Sequence, residues 1–462
     1  MAPGRAAHRD PPAGLHAGAA GCGHDLDHAR RQGRMNILIL TNTYTPHVGG
    51  VARSVAAFAA EYRRRGHRVL IVAPEFPDMP GHETDVIRVP AIQKFNASDF
   101  SVALPLAAQM NDAIDAFQPD IVHAQHPFLL GMTAVRIARR RELPLVFTHH
   151  TLYEQYTHYV PGDSPTMKRF AIELGTRYAN LSDQVFAPSE SIRALLLERG
   201  VDTPIAVVPT GVHLESFASG DGAAVRRQLG IAAEAFVVGH LGRLAPEKNL
   251  EFLTRAVAEV VAGDARTHFL VIGTGPSEKT IRERFARAGL STRLHILGLL
   301  QGRQLADALH AMDVFAFASL SETQGMVLTE AMAAGLPVVA LDAPGAREVV
   351  DDGSNGRLLR AAAPAAFAAG LRWVAAQGPD VRSALRQAAL DTAAAFSMPR
   401  CADRALACYA ALQPRAAADT HAHETGWEEV IIAIKTEWDI LKSMAGAGDA
   451  ALGTGLFPEK ED

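Results

Sequence analysis

The chain has 462 residues, 48% of them hydrophobic and 21% charged, which is enough apolar material for two globular domains. A net charge of −5 excludes bulk electrostatic attraction for nucleic acid. Three cysteines, Cys22, Cys401 and Cys408, form neither a disulfide framework nor a metal-ligand spacing, and no apolar run reaches the roughly 18 residues of a membrane span.

Residues 1–34 are rich in Ala, Gly, His, Pro and Arg and lack both apolar periodicity and the apolar core of a signal peptide. They read as a disordered extension. Met35 stands directly before the first strand, which fits an extension created by a start codon called too early.

Met35 to Leu40 reads as a buried strand. The loop Thr43 to Gly50 follows, then a helix from Val51 to Arg65, a Gly66 stop, and a second strand from His67 to Ala73. This is a βαβ unit with a glycine turn at its helix start. Gly49 and Gly50 let a phosphate approach the backbone closely, although the full Gly-x-Gly-x-x-Gly dinucleotide fingerprint is missing. Its absence disfavours a dehydrogenase.

Further strands are predicted at Val86–Val89, Asp120–Ala124, Leu145–Thr148, Gln184–Ala187 and Ile205–Val208. Helical stretches separate most of them, which gives an open, largely parallel sheet. The sequence Val208-Pro209-Thr210-Gly211-Val212 breaks the pattern and reads as a hinge. Beyond it the α/β rhythm resumes, with strands at Phe236–Leu241, Thr267–Ile272, Leu294–Leu297, Val314–Phe317, Val338–Ala340 and Arg357–Leu359. After residue 362 only helical patterns remain. The last, from Trp427 to Met444, places Val430, Ile431, Ile434, Trp438 and Leu441 on roughly one face.

Four stretches carry residues suited to chemistry. Val146-Phe147-Thr148-His149-His150-Thr151 ends a strand with two histidines that must point apart, so they make a poor chelate and only one can enter the crevice. The run that follows, to Tyr159, mixes aromatic and polar residues without a clean helical face. Gly242-Arg243-Leu244-Ala245-Pro246-Glu247-Lys248-Asn249 ends at the start of a helix, where Arg243 as a fork and Lys248 as a point charge can reach one diphosphate.

The fourth stretch is Ser321-Glu322-Thr323-Gln324-Gly325-Met326-Val327-Leu328-Thr329-Glu330-Ala331-Met332-Ala333-Ala334-Gly335-Leu336-Pro337. A buried strand leads in, and the helix closes on Gly335 and Pro337. Loop amides and the helix start offer N–H groups and partial positive charge to an oxygen-rich ligand. Glu330, in the second turn, can accept from paired hydroxyls such as those of a ribose. No cluster of His, Asp or Glu has metal-ligand spacing, so no metal and no cofactor are expected.

The fourth stretch resembles the Glu-x7-Glu signature of retaining family 4 glycosyltransferases. The segments around Gly49-Gly50, His150, Arg243–Asn249 and Gly273-Thr274-Gly275-Pro276 are similar to other parts of that family. The resemblance spans residues 35–410. It implies an α/β fold of two Rossmann-like domains facing a central crevice (GT-B), with a C-terminal helix crossing back to the first domain. The expected divisions are a disordered extension (1–34), an acceptor-side domain (35–211), a nucleotide-sugar-binding domain (212–400), C-terminal helices packing back (401–444) and a disordered tail (445–462). The stretch from Trp427 to Met444 is the expected crossing helix.

The resemblance also implies roles. His150 and Glu322 serve the reacting sugar. Gly49, Gly50, Arg243, Lys248, Gln324, Gly325, Met326, Val327 and Glu330 hold the donor. Tyr153, Tyr156, His158 and Tyr159 face the acceptor. In motif the chain is nearest to bacterial diacylglycerol α-glucosyltransferases, which implies UDP-glucose as donor, diacylglycerol as acceptor and a role in glycolipid synthesis. The expected location is the cytoplasm, with peripheral contact at the inner face of an anionic membrane. Arg63–Arg65 and Arg139–Arg141 read first as helix C-terminal cations and second as a basic face toward lipid.

The alternatives are transfer of glucose or mannose, the latter from GDP-mannose, to a soluble or polysaccharide acceptor; a sugar-nucleotide epimerase; and a nucleotide-sugar-binding protein without turnover.

Overall fold

The structure, a computed structural model, describes residues 33–47, 49–81, 83–92, 102–103, 107–155 and 164–412. The stretch from Trp427 to Met444 expected to be helical, most of the N-terminal extension, the C-terminal tail, and Tyr156, His158 and Tyr159 lie outside these residues.

Among the described residues, nine strands fall in the first half of the chain: β1 (Asn36–Leu40), β2 (Arg68–Pro74), β3 (Val86–Val89), β4 (Ala91–Ile92), β5 (Val102–Ala103), β6 (Ile121–Ala124), β7 (Leu145–Thr148), β8 (Gln184–Ala187) and β9 (Ile205–Val207). Seven of them form one parallel sheet in the order β3-β2-β1-β6-β7-β8-β9, and β4 and β5 form a small antiparallel pair that the alternation does not announce. The second half supplies β10 (Phe236–Leu241), β11 (Thr267–Ile272), β12 (Leu294–Ile296), β13 (Val314–Phe317), β14 (Val338–Leu341) and β15 (Gly356–Leu359). These make a parallel sheet in the order β12-β11-β10-β13-β14-β15. The strands are continuous apolar runs because helices cover both faces of each sheet. Every residue of β6, β7, β13 and β14 is buried.

The expected strands all form, with ends shifted by one residue at most. Both sheets change winding direction beside their first strand, β1 or β10, where neighbours of non-consecutive number flank it. Such switch points place ligands at the carboxyl ends of the strands.

The chain passes between the sheets twice. Val212 bridges Ser397, its N–H donates to Phe396 O at 2.9 Å, and Met398 N–H donates back to Val212 O at 2.9 Å. The second crossing leads into helix Met398–Ala411, which packs against helix Gly50–Arg64 of the first half. Met398, Ala402, Ala405 and Tyr409 recur on one face and enter a core with Val55, Ala59, Tyr62 and Phe186. Burying one such large side chain contributes about 1.5–3 kcal/mol. Among the described residues, the helix that crosses back is Met398–Ala411.

Both arginine clusters lie at helix C-terminal ends and carry internal contacts. Arg63 donates to Val69 O at 2.8 Å, Arg64 and Arg65 pair with Glu61, and Arg65 also reaches Pro399 O and Asp403 of the crossing helix. Arg139 donates to Leu181 O at 2.9 Å and Arg141 pairs with Asp115 at 2.6 Å. The first reading of these clusters accounts for their positions.

Candidate active site

The loop after β13 is shaped by Gly325, which starts helix Met326–Ala333 at φ 72°. A Cβ there would stand 2.9 Å from Leu328 Cδ1, so glycine meets both the left-handed backbone and the space. The helix ends as expected. Leu336 N–H reaches Ala331 O and Gly335 N–H reaches Met332 O, which satisfies the last carbonyls. Its first N–H groups have no partners within the helix and face the crevice end of the strands.

The second wall is the turn after β10. Residues Pro246–Lys248 form a 3-10 turn, followed by Asn249 in the left-handed region. Asn249 donates to Ala318 O at 3.1 Å, and the Ser321 hydroxyl donates to Glu247 O at 3.1 Å, so this turn and the Glu322 loop are held as one unit. Across them Lys248 Nζ meets Glu322 Oε1 at 2.5 Å. Arg243 is exposed on the same turn. Gly273 and Gly275 find their purpose here. Added Cβ atoms would meet Gly242 O at 1.9 Å and Leu244 O at 2.4 Å, so only glycines let the two turns run side by side.

Beneath the turn lies His240, 2% exposed. Its Nδ1 is 3.0 Å from Ala316 O, a carbonyl that only accepts, so Nδ1 carries the proton and Nε2 is a bare acceptor without a partner. Burial first, and then the Lys248 charge, lower its pKa to about 4 against the opposing pull of the Ala316 carbonyl and of Glu322.

The first sheet contributes His150 at the end of β7. Its Nε2 is 2.7 Å from Gln125 Oε1, and burial lowers its pKa to about 4, so it is neutral at physiological pH. His149 points the other way, into a wall made by Phe147 and Tyr153, with neither ring nitrogen partnered. The two histidines are thus separated as the strand pleat requires. A narrow cleft adjoins His150, lined by Ser54, Gln125 and Thr210 together with Phe58, Phe186 and Val208.

A buried polar chain ties this wall to the crossing helix. Tyr62 donates to Tyr409 at 3.3 Å, the Tyr409 hydroxyl meets His123 Nδ1 at 2.7 Å, and His123 Nε2 meets Thr148 Oγ1 at 2.7 Å. Tyr409 must donate to Nδ1, which puts the histidine proton on Nε2.

The two halves meet along the Glu322 loop. Arg53, one turn into the helix that follows Gly49-Gly50, pairs with Glu330 Oε1, whose other oxygen is buried without a partner. Gln324 spends both ends of its amide on Thr210, accepting from the N–H at 2.7 Å and donating to the carbonyl at 2.6 Å. Thr323 donates to His150 O at 2.7 Å, and Ser189 donates to Thr323 O at 2.7 Å. Glu348 accepts from Ser191 N–H at 3.0 Å.

These contacts tie the end of β7 at His150 to the Glu322 loop through Thr323, Lys248 to Glu322, and the helix after Gly49-Gly50 to Glu330 through Arg53. Gly325, Met326 and Val327 stand at the start of the same helix as Glu330, and Arg243 lies on the same turn as Lys248. Two expectations change. The Gln324 side chain serves the connection at residues 208–212, because its oxygen and one of its N–H groups are taken by the Thr210 backbone. Tyr153 lies in a 3-10 turn with its ring against Phe128 and His149 and its hydroxyl buried, so it is part of the wall. The other three acceptor candidates, Tyr156, His158 and Tyr159, lie outside the described residues. Arg53, Gln125, Ser189, His240 and Glu348 escaped the sequence reading. Only Arg53 had a signal, since a cation in the first turn of a helix opposes the macrodipole.

Comparison with known proteins agrees with this geometry. Residues 48–216 match Glycosyltransferase Family 4, and residues 235–377 match Glycosyl transferases group 1. The alpha-monoglucosyldiacylglycerol synthase of Streptococcus pneumoniae is 31% identical over 340 residues, covering 70% of this chain and 75% of that protein. A GDP-mannose-dependent alpha-mannosyltransferase of Mycobacterium tuberculosis is 30% identical, covering 70% of this chain and 84% of that protein. Among solved structures, Anabaena Alr3699/HepE in complex with UDP and glucose superposes with a TM-score of 0.66 at 24% identity, over 82% of this chain and 100% of that one. The likeness to that structure shows the fold, and the sequence matches show more: this chain is a glycosyltransferase of the GT-B fold and belongs to family 4.

Proposed function

We propose that the protein transfers glucose from UDP-glucose to a hydroxyl of diacylglycerol, with retention at the anomeric carbon. The observation that carries the reading is the 2.5 Å contact between Lys248 and Glu322. A phosphate-seeking cation and a hydroxyl-seeking carboxylate stand side by side, as phosphate and sugar do in a nucleotide sugar. Glu330 is one helical turn deeper, where a ribose diol would lie.

In this reading Glu330 accepts from the ribose hydroxyls. Arg243 and Lys248 hold the diphosphate. Glu322 and the amides of Gly325, Met326 and Val327 hold the hexose hydroxyls. Gly49 and Gly50 border the diphosphate from the other side. Neutral His150 takes a hydrogen bond at the sugar. The acceptor attacks C1 on the face the phosphate leaves. The acceptor O–C1 bond forms as the C1–O phosphate bond breaks, the acceptor proton passes to the leaving phosphate oxygen, and UDP departs. Positive charge already in place at that oxygen stabilises the developing anion without reorganisation.

One observation supports the lipid acceptor: the pneumococcal relative is named an alpha-monoglucosyldiacylglycerol synthase. No described helix is long and apolar enough to cross a membrane. The mannosyltransferase relative favours a second reading, mannose from GDP-mannose.

One experiment separates them. The purified protein is incubated with labelled UDP-glucose or GDP-mannose and with diacylglycerol in anionic vesicles or a soluble sugar. Label from UDP-glucose in the vesicle lipid is the expected result, weakened by salt. Label only from GDP-mannose, or only on the soluble sugar, overturns the proposal.

A further inference from the structure

We propose that Thr323 and Ser189 form a two-hydroxyl clasp across the crevice that sets the spacing between His150 and Glu322, making both positioning residues for the transfer. The inference rests on the assignment of His150 and Glu322 to the reacting sugar.

Thr323 directly follows Glu322, and both of its polar ends face the first sheet. Its hydroxyl donates to His150 O at 2.7 Å, and its carbonyl accepts from the Ser189 hydroxyl at 2.7 Å. Ser189 stands at the carboxyl end of β8 and begins helix Glu190–Glu198, where its hydroxyl also accepts from Ile192 N–H at 3.3 Å. The histidine is thus fixed twice, by Gln125 at the ring and by Thr323 at the backbone. The carboxylate is fixed by Lys248 on one side and by its clasped neighbour on the other.

The contacts around the clasp act in the same direction. Glu348, from the second half, accepts from Ser191 N–H. Gln324 holds Thr210, whose hydroxyl meets Ser54 at 2.7 Å. Of three consecutive residues, Glu322 is held within the second half by Lys248, and Thr323 and Gln324 are both held by the first half. Only a serine or threonine at 323 supplies a short hydroxyl donor there, and the β-branch of threonine narrows its χ1 choice. Loss of the hydroxyl would free His150 from Glu322, and a displacement of about 1 Å at a reacting centre can cost about a hundredfold in rate.

The test uses the full chain. Thr323→Val keeps the shape and removes the donor. We expect kcat for transfer to fall about tenfold, with the affinity for UDP within about twofold of the parent. Donor hydrolysis should take a larger share of UDP-glucose consumption, because closure excludes water. Thr323→Ser should restore most of the rate. Ser189→Gly removes the second hydroxyl while leaving a tolerated helix-capping residue, and should give a milder form of the same split. Melting curves confirm that each variant is folded. A parental kcat in Thr323→Val, or equal losses in Thr323→Val and Thr323→Ser, overturns the clasp. Glu322→Gln and His150→Ala are measured beside them. Parental transfer in both would overturn the site reading and the clasp together. Loss of transfer in both beside a parental Thr323→Val overturns the clasp alone.

Discussion

Arg53 and Glu330 form an ion pair across the crevice, joining the glycine-loop helix of the first half to the second turn of helix Met326–Ala333. The carboxylate side chain is 5% exposed and the guanidinium side chain 46% exposed. In the proposed function the same carboxylate serves the ribose, so nucleotide and Arg53 compete for it.

Arg53→Ala is therefore expected to tighten UDP binding. A half-exposed pair is worth about 1 kcal/mol, which is a factor of about five in affinity. The variant should also melt lower, because Glu330 keeps its burial without its cation. Calorimetric titration with UDP decides the point. Weaker binding in Arg53→Ala would show the guanidinium to be a ligand contact.

Arg243→Ala and Lys248→Ala should each lower transfer at least tenfold. A cation already in place at a developing phosphate charge is worth about 3 kcal/mol. Lys248 should show a second effect that Arg243 does not, since its removal also leaves Glu322 without its 2.5 Å partner. Initial rates with saturating UDP-glucose measure both. Full activity in the two variants would remove the diphosphate assignment.

Glu330 and Glu322 should separate in kind. Glu330→Ala is expected to weaken UDP binding, and Glu322→Ala to lower turnover with a smaller effect on UDP. In the proposed function the first carboxylate, in the helix, serves the ribose, whereas the second sits in the loop beside Lys248. Equal losses of UDP affinity would refute the division.

Stability should fall in mild acid. Burial lowers the pKa of His150 and His240 to about 4 and of His123, His126 and His149 to about 3. These folded-state values lie below the unfolded value of about 6.5. Between them the unfolded chain binds protons that the folded chain refuses, so stability is complete above about pH 6.5 and declines as the pH drops toward about 4. Each histidine can contribute a slope of up to about 1.4 kcal/mol per pH unit in that window. Urea midpoints at pH 7.5, 6 and 5 test this, and equal midpoints would show that the histidines protonate without loss of fold.

The sequence by itself determined the strands of the two parallel sheets, the helix stops and the reaction class. Strands covered on both faces are continuous apolar runs, so β6, β7, β13 and β14 stand out locally. Gly325, Gly335 and Pro337 announce their turns through their own backbone restrictions. The Glu-x7-Glu spacing is likewise a property of one loop and one helix. Tertiary structure alone decided which groups face one another. Arg53 meets Glu330 across 277 positions of chain, Gln324 meets Thr210 across 114, and Thr323 meets His150 across 173. Each contact depends on how two sheets stack at the crossings near Val212 and Met398, and no local pattern encodes that. For the same reason Tyr153 reads as an acceptor contact beside His150 and yet folds into the wall. A short 3-10 turn rotates its hydroxyl inward, where Phe128 and His149 cover the ring.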